Sequence, residues 1–160
     1  MESFTISELQ AGGGTLGLCP IPGRSGEYSK DLAVLLEWEP DMVLSVTETA
    51  ELARIESWSM GQQLLQTGIH WQHLPVADMS TPKPQIVQLW PQVSKDAQQL
   101  LNVGGKVLVH CVGGCGRSGM MVLRLMVEMG ENPAIALGRL REIRPCAVET
   151  EAQRRWASKV

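Results

Sequence analysis

The sequence predicts an α/β fold in which helices pack around a central, largely parallel sheet. Short, nearly all-apolar segments such as MVLSVT at 42–47 and KVLVH at 106–110 have the composition of strands buried on both faces. Segments with helix-capping residues separate these runs, so strands and helices alternate along the chain. With 160 residues, 44% apolar and 19% charged, the chain has the size and composition of one soluble domain.

In residues 15–76, apolar runs alternate with segments that begin at a capping residue or end at a helix breaker. Ser29 can cap the first helix, which Pro40 stops, and Thr49 can cap a short second helix. A third helix is expected over 57–67. The strands predicted in this part of the chain are 15–20, 42–47 and 69–76.

From residue 81 onward the pattern predicts one strand and four helices. Thr81 offers a cap for a long helix that reaches about Leu101, and Pro91 inside it should bend it or mark its true start. The strand at 106–110 follows. The remaining helices are expected over 118–129, from Asn132-Pro133 to about Ile143, and after a cap at Thr150.

We expect a single domain over 1–160, with 1–14 as either a loosely ordered segment or an edge strand. No apolar run approaches the roughly 20 residues needed to cross a bilayer. The polar, acidic start MESFTISELQ lacks the features of a signal peptide. These observations predict a cytoplasmic protein with no membrane partner. Its cysteines should then be reduced thiols, not a disulfide framework: Cys19, Cys111, Cys115 and Cys146.

No metal site is expected, because the sequence has no Cys-x-x-Cys pair and its three histidines do not show ligand spacing. The charge is distributed unevenly. Residues 1–105 carry 5 basic and 12 acidic side chains, whereas residues 106–160 carry 9 basic and 5 acidic ones. The basic part would suit an anionic ligand, although its charges can also be ordinary solvated helix faces.

The stretch VHCVGGCGRSG at 109–119 connects the predicted strand to a predicted helix. Its glycines allow a tight loop whose amide N–H groups point inward, and the following helix N-terminus adds further donors. We therefore expect the loop to bind a tetrahedral oxyanion such as inorganic phosphate. The expected phosphate-binding residues are Val112, Gly113, Gly114, Cys115, Gly116 and Arg117.

Two side chains of this stretch are suited to phosphoryl transfer. The Arg117 guanidinium can grip two phosphate oxygens in a fork, and the same positive field favours a thiolate at Cys111. Attack by that sulfur would give a phosphocysteine intermediate, and Ser118 could donate a hydrogen bond to the sulfur as it leaves. His110 has two readings: its ring holds backbone carbonyls away from the sulfur, or it is a hydrogen-bonded core histidine.

The segment VHCVGGCGRSGMM resembles the signature of the cysteine-dependent protein tyrosine phosphatases: an aliphatic residue, His-Cys, five residues, Arg and then Ser or Thr. GLCPIPG at 17–23 and HLPVADMSTP at 73–82, together with this segment, are similar to the dual-specificity type, in particular to the kinase-associated phosphatase subgroup and its prokaryotic relatives. The resemblance implies a single-domain cysteine phosphatase fold with a four- or five-stranded sheet, acting without a metal ion or another cofactor.

A phosphate ester leaves poorly unless its oxygen is protonated, so the reaction needs a carboxylic acid. Asp78 is the candidate, because it lies just after a predicted strand, between two prolines and 33 residues before Cys111. It can equally be a loop aspartate that caps the next helix. The family resemblance also suggests that Gln153 helps to place the hydrolytic water, unless it is simply an exposed helix residue.

Cys115 stands where the related subgroup has an aliphatic residue. It can act as a resolving thiol after Cys111 is oxidised to sulfenic acid, or it only packs. Mild peroxide treatment would distinguish the two.

The expected substrates are phosphotyrosine and also phosphoserine or phosphothreonine in proteins. Tyr28 is the only tyrosine, and no tyrosine-bearing segment before Asp78 has the setting of a wall around a deep phosphotyrosine pocket. We therefore expect a shallow pocket that also admits phosphoserine and phosphothreonine. Two alternatives stay open: a phosphatase for a small metabolite or an RNA 5′ end, and a phospho-binding pseudophosphatase. Nucleic acid is not favoured, since no aromatic-interleaved basic stripe is present, and we expect a monomer.

Overall fold

The computed structural model describes residues 3–55 and 57–159. Its strands are β1 (Ser7–Ala11), β2 (Gly14–Cys19), β3 (Met42–Ser45), β4 (His70–His73) and β5 (Lys106–His110). Its helices are α1 (Tyr28–Glu37), α2 (Thr49–Arg54), α3 (Met60–Gln66), α4 (Pro84–Asn102), α5 (Gly116–Glu128), α6 (Pro133–Ile143) and α7 (Glu151–Ser158).

The strands form one sheet in the order β1-β2-β5-β3-β4. Four of them are parallel, with β5 between β2 and β3, and Leu108 pairs with Gly17 on one side and with Val43 on the other. β1 joins the edge antiparallel to β2. The predicted α/β class and mostly parallel sheet are therefore confirmed, and part of the N-terminal segment forms an edge strand.

Two hydrophobic cores lie on opposite faces of the sheet, because successive side chains of a strand point to opposite sides. One core contains side chains from α4, α5, α6 and α7, and the other contains side chains from α1, α2 and α3. The strands supply Leu16, Leu18, Met42, Leu44, Val107 and Val109 to the first core, and Cys19, Val43 and Leu108 to the second. This double cover explains the continuous apolar runs in the sequence.

Several element ends differ from the sequence-based expectation. α4 begins at Pro84 after Lys83, not at a Thr81 cap, and it passes through Pro91 without ending. The N-cap of α2 is Glu48 instead of Thr49, because Glu48 and Glu51 form a capping box.

Two further boundaries are set by long-range contacts. α3 begins only at Met60, since the hydroxyl of Ser57 donates to the Pro22 carbonyl at 2.5 Å instead of capping a helix. α1 starts one residue before the expected cap, Ser29, with Glu27 at its N-cap position. By contrast, the caps Asn132 and Thr150 and the limits of β5 are as predicted.

All four parallel strands end at the same edge of the sheet, at Cys19, Ser45, His73 and His110. Ligand sites of open α/β sheets lie outside the carboxyl ends of the strands, and the stretch at 109–119 begins at this edge. Among the described residues, no helix is long and apolar enough to cross a bilayer, and no group of three or more His, Cys, Asp or Glu could hold a metal ion.

Two helical glycines provide a matched test of how tightly α5 is packed. A Cβ on Gly119 would lie 2.7 Å from the Val148 amide nitrogen and 3.0 Å from Ala147 Cα, whereas a Cβ on Gly138 in α6 would meet nothing within 4 Å. Gly119→Ala should therefore lower the free energy of unfolding by about 1–3 kcal/mol through overpacking. Gly138→Ala should raise it by about 0.5–1 kcal/mol. Urea unfolding would contradict this packing if both variants were stabilised.

Candidate active site

Residues 111–117, here called the cradle loop, connect β5 to α5 at the carboxyl edge of the sheet. Gly114 has a φ of 71°, and a Cβ there would lie 2.6 Å from the carbonyl carbon of Cys19 and 2.6 Å from the Pro20 nitrogen. Only glycine fits a backbone turn of this kind packed against another backbone. The loop is also joined to the chain after β2, because Ile21 N–H donates to the Val112 carbonyl at 3.0 Å.

Carbonyl groups of the cradle loop are held by an arginine from a distant segment. The Arg144 guanidinium donates from Nε to the Gly114 carbonyl at 3.0 Å and from Nη2 to the Gly113 carbonyl at 2.9 Å. An anion-binding nest needs loop amides that face inward, and carbonyl groups bound from outside the loop are compatible with that arrangement. Sequence reasoning did not identify Arg144, since only the fold brings the end of α6 over this loop.

Cys111 lies at the floor of the cradle loop and is 2% exposed. Its Sγ is 3.2 Å from Ser118 Oγ, in the first turns of α5, so the hydroxyl is within hydrogen-bond distance of the sulfur. No side chain caps α5, so its first N–H groups are available to an anion. The structure thus brings the side chains of Cys111 and Ser118 together.

His110 belongs to a buried hydrogen-bond chain behind the cysteine. Trp71 Nε1–H donates to Ser45 Oγ at 2.9 Å, and that hydroxyl is 2.5 Å from His110 Nε2. His110 Nδ1 lies 3.1 Å from the Cys111 carbonyl. Nδ1 is therefore the protonated nitrogen when the Ser45 hydroxyl donates to Nε2. Burial lowers the pKa of His110 to about 4, so the ring is neutral at pH 7.

Arg117 is buried, with 2% of its side chain exposed, and forms a two-bond ion pair with Glu51 of α2. Nη1 donates to Oε1 at 2.6 Å, and Nη2 donates to Oε2 at 3.0 Å. Nη1 also donates to the Val76 carbonyl at 2.9 Å. The hydrogen bonds from Arg117, acting against partial burial, lower the pKa of Glu51. Sequence reasoning missed Glu51, whose 66-residue separation from Arg117 leaves no local signal.

The third nitrogen of this guanidinium, Nε, is buried and has no hydrogen-bond partner within the described part of the chain. It lies 3.7 Å from Asp78 Oδ1. Glu51 already holds both terminal nitrogens, so a phosphoryl group in the cradle would meet the guanidinium along its Nε edge. A fork of the guanidinium on two phosphate oxygens stays a prediction, because Glu51 uses neither Nε nor the second N–H of Nη2.

Asp78 lines the same cavity as Cys111, with 68% of its side chain exposed. Its Oδ1 accepts from Met79 N–H at 2.9 Å, and Met79 has a φ of 62°. The carboxylate does not cap α4, whose N-cap is Lys83. The alternative of a helix-capping aspartate is therefore wrong, and Asp78 is positioned to reach a ligand in the cradle.

Gln153 is fully buried, so the alternative of an exposed helix residue is also wrong. Its Oε1 accepts from the N–H groups of Glu149 and Thr150, and its Nε2 donates to the Ser80 carbonyl at 3.2 Å. The side chain thus connects α7 to the loop that carries Asp78. A role for Gln153 in placing water stays a prediction.

Cys115 is bonded to Cys146, which corrects the expectation that all four cysteines are reduced. The bond also rules out both alternatives given for Cys115, a resolving thiol for Cys111 and a residue that only packs. The two residues are 31 positions apart, but the segment between α6 and α7 crosses the cradle loop and brings their Cα atoms within 5.2 Å. Cys19 and Cys111 are free thiols. Burial raises the pKa of Cys19, and the nearby Cys111 raises it further.

The site opens into a cavity of about 560 Å³ above the cradle loop. Acidic and basic groups share its lining: Asp78 and Glu149 are acidic, and Arg24, Arg117 and Arg144 are basic. The cavity therefore brings the Cys111 thiol, the cradle loop and the Asp78 carboxylate to one opening.

The chain has recognisable relatives. A family model described as "Tc-R-P: Polymorphic toxin system, DSP-PTPase phosphatase" matches residues 19–131. Cyclin-dependent kinase inhibitor 3 of Rattus norvegicus is 28% identical over 136 residues, covering 81% of this chain and 63% of that protein. PRL-1 phosphatase of Drosophila melanogaster is 31% identical over 111 residues, covering 69% of this chain and 62% of the relative. The chain thus spans less than two thirds of the length of these two relatives.

Solved structures show the same architecture. The kinase associated phosphatase KAP, with its catalytic-site cysteine replaced by serine, aligns with a TM-score of 0.84 and 24% identity, covering 98% of this chain and 93% of that chain. Tk-PTP in its active form aligns with a TM-score of 0.68 and 26% identity, covering 91% and 92% of the two chains. The predicted single-domain cysteine phosphatase fold is confirmed.

Counting the cysteines that react with iodoacetamide tests the disulfide directly. In protein purified without reductant and then unfolded, iodoacetamide should alkylate two cysteines, and four after reduction. Reduction should lower the free energy of unfolding by about 3.5 kcal/mol, because it releases a closed loop of roughly 30 residues. A Cys115→Ser/Cys146→Ser double variant should have the free energy of unfolding of the reduced protein, and reductant should not change it. Four alkylated cysteines before reduction would contradict the bond.

Burial of neutral His110 predicts a pH dependence of stability. Below pH 6.5 the unfolded imidazole takes up a proton that the folded one, with a pKa of about 4, does not. Stability should therefore fall between pH 6.5 and 4, by up to about 3 kcal/mol, and this contribution should level off below pH 4. His110→Asn should flatten that slope in urea unfolding, whereas His70→Asn, at an exposed position, should keep it. An unchanged slope in His110→Asn would refute this assignment.

Proposed function

Because the chain belongs to the DSP-PTPase phosphatase family, we propose that it hydrolyses phosphate monoesters through a phosphocysteine intermediate. The proposed substrates are phosphotyrosine and also phosphoserine or phosphothreonine in proteins. The observation that supports this most strongly is the arrangement around one sulfur. Cys111 Sγ lies at the floor of the cradle loop, 3.2 Å from Ser118 Oγ. The Asp78 carboxylate lies 3.7 Å from Arg117 Nε, a nitrogen that makes no hydrogen bond to the described residues.

Binding comes first in the proposed reaction. The phosphoryl oxygens of the ester accept hydrogen bonds from the amides of the cradle loop and from the Nε edge of Arg117. This set of donors is rigid before the substrate arrives, because Glu51 and Arg144 hold Arg117 and the loop. The phosphorus is then held above Cys111 Sγ.

In the first chemical step the Cys111 thiolate attacks phosphorus and the ester oxygen leaves. Asp78, as the carboxylic acid, gives its proton to that oxygen, so the products are an alcohol or phenol, a phosphocysteine and the Asp78 carboxylate.

In the second step that carboxylate takes a proton from a water molecule, which attacks the phosphorus. The Cys111–phosphorus bond breaks, inorganic phosphate forms, and Ser118 donates a hydrogen bond to the departing thiolate. The scheme needs no metal ion. We propose that Gln153 contributes by holding the Ser80 carbonyl, and with it the loop that carries Asp78.

The openness of the site supports a broad ester specificity. Asp78 is largely exposed and the cavity is bordered by loops, so nothing in the described lining forms a deep aromatic-walled slot that would select phosphotyrosine alone. A small phosphate monoester fits the same chemistry. A binding-only pseudophosphatase is disfavoured, since it would need neither the thiol nor the carboxylate.

Turnover of p-nitrophenyl phosphate, phenyl phosphate, and phosphotyrosine and phosphoserine peptides tests the proposal. Cys111→Ser should abolish hydrolysis of all of them while phosphate or vanadate still binds in calorimetry. Cys19→Ser, which changes the other free thiol, is the matched control and should retain activity. Substantial turnover by Cys111→Ser would exclude the phosphocysteine route.

The same assay tests the acid through the leaving group. Asp78→Asn should slow phenyl phosphate by about 10²–10⁴-fold, and p-nitrophenyl phosphate much less, because p-nitrophenolate needs little protonation to leave. Equal losses on both esters would assign the proton to another group.

A further inference from the structure

We propose that Arg24 binds an anionic group next to the scissile phosphate and so makes the enzyme prefer phosphopeptides with an acidic neighbour. The inference rests on the proposed phosphatase function and adds the substrate class to it. Arg24 lies in the loop between β2 and α1 and lines the same cavity as Cys111. It belongs to neither the cradle loop nor the proposed acid–base machinery.

The backbone that carries Arg24 is fixed to the site. Ile21 N–H donates to the Val112 carbonyl at 3.0 Å, and Gly23 N–H donates to the carboxylate of buried Asp31 at 2.8 Å. Ser57 Oγ donates to the Pro22 carbonyl at 2.5 Å. Three hydrogen bonds to three different parts of the chain therefore hold the backbone of residues 21–23. The backbone of the next residue, Arg24, is thereby kept beside the cradle loop.

The guanidinium of Arg24, by contrast, is not engaged by other described residues. The residue is exposed, and its guanidinium has no hydrogen bond or ion pair among residues 3–55 and 57–159. It lies over Gly113, where a Cβ would be 3.5 Å from Nη1 and 3.9 Å from the central carbon. The Arg24 guanidinium is thus a free cation that lies over Gly113, two positions after Cys111 in the cradle loop.

The other basic groups of the cavity are already engaged. Arg117 pairs with Glu51, and Arg144 donates to the Gly113 and Gly114 carbonyls. The carboxylates that line the cavity, Asp78 and Glu149, would repel a second anion of the substrate. The charge distribution therefore directs a flanking anion toward Arg24.

The position of Arg24 also limits how far that anion can be from the phosphate. A peptide advances at most about 3.3–3.6 Å per residue, so a side chain next to the phosphorylated residue can reach a guanidinium lying over Gly113. A guanidinium binds carboxylate and phosphate oxygens with the same two-bond geometry. The recognised group is therefore a Glu or Asp carboxylate or a second phosphate beside the scissile one.

The test measures hydrolysis of matched phosphotyrosine peptides by the full chain. The peptides carry Glu, Gln or phosphoserine immediately before or after the phosphotyrosine. The wild type should show a KM roughly two- to fivefold lower for Glu than for Gln on one side, as expected for an exposed charge-assisted bond. Arg24→Gln should remove this difference, and Arg24→Lys should keep part of it. All variants should hydrolyse p-nitrophenyl phosphate equally well.

Arg155→Gln is the matched control, because Arg155 is exposed on α7 outside this cavity. It should retain the preference for the acidic peptide. A lower KM for the phosphoserine peptide than for the Glu peptide would identify the flanking group as phosphate instead of carboxylate. Arg24 would still be the residue that binds it.

The outcomes separate the two proposals. Turnover of p-nitrophenyl phosphate without any Glu–Gln difference in the wild type, or with the difference intact in Arg24→Gln, overturns the Arg24 inference alone. No turnover of any ester overturns the proposed function. In that case fluorescence polarisation of the same labelled peptides on Cys111→Ser still decides whether Arg24 selects the acidic one.

Discussion

The ion pair between Arg117 and Glu51 is the interaction on which the site depends. A guanidinium buried to this degree is costly to keep charged unless a partner replaces its water. Glu51 does so with two hydrogen bonds and thereby fixes the orientation of the guanidinium plane. Removing one partner of such a buried pair costs about 3–5 kcal/mol in other proteins. Here the pair also leaves Nε as the one buried side-chain nitrogen without a hydrogen bond within the described chain.

Glu51 connects this pair to the segment between β3 and α2. Its Oε1 also accepts from Glu48 N–H at 2.8 Å, which completes the capping box of the six-residue helix α2. The segment between β3 and α2 is therefore coupled to the cradle loop, although the two are far apart in sequence. A helix this short has little stability of its own, so its cap and the ion pair hold it in place.

The cradle loop is a second example of geometry imposed from outside. Its carbonyl groups are taken by Ile21 and Arg144, its fifth residue is cross-linked to Cys146, and the carbonyl of Cys111 faces the imidazole of His110. None of these partners lies inside the loop. Preorganised donors of this kind need no rearrangement when charge develops on a phosphoryl group. The loop between β2 and α1 is held from outside in the same way, so the backbone near Arg24 is fixed while its guanidinium makes no bond to the described residues.

By itself, the sequence determined the fold class, the limits of β5, the caps of α6 and α7, and the grouping of Cys111, Arg117 and Ser118. These features depend on residues within one turn or one strand, where periodicity, capping and loop chemistry act locally. Only the tertiary structure decided that Glu51 holds Arg117, that Arg144 holds the cradle carbonyls, that Gln153 is buried against Ser80 and that Cys115 is bonded to Cys146. Each of these joins segments that are 30 or more residues apart. Such contacts arise because a parallel sheet brings the carboxyl ends of distant strands to one edge, which no local pattern in the sequence records.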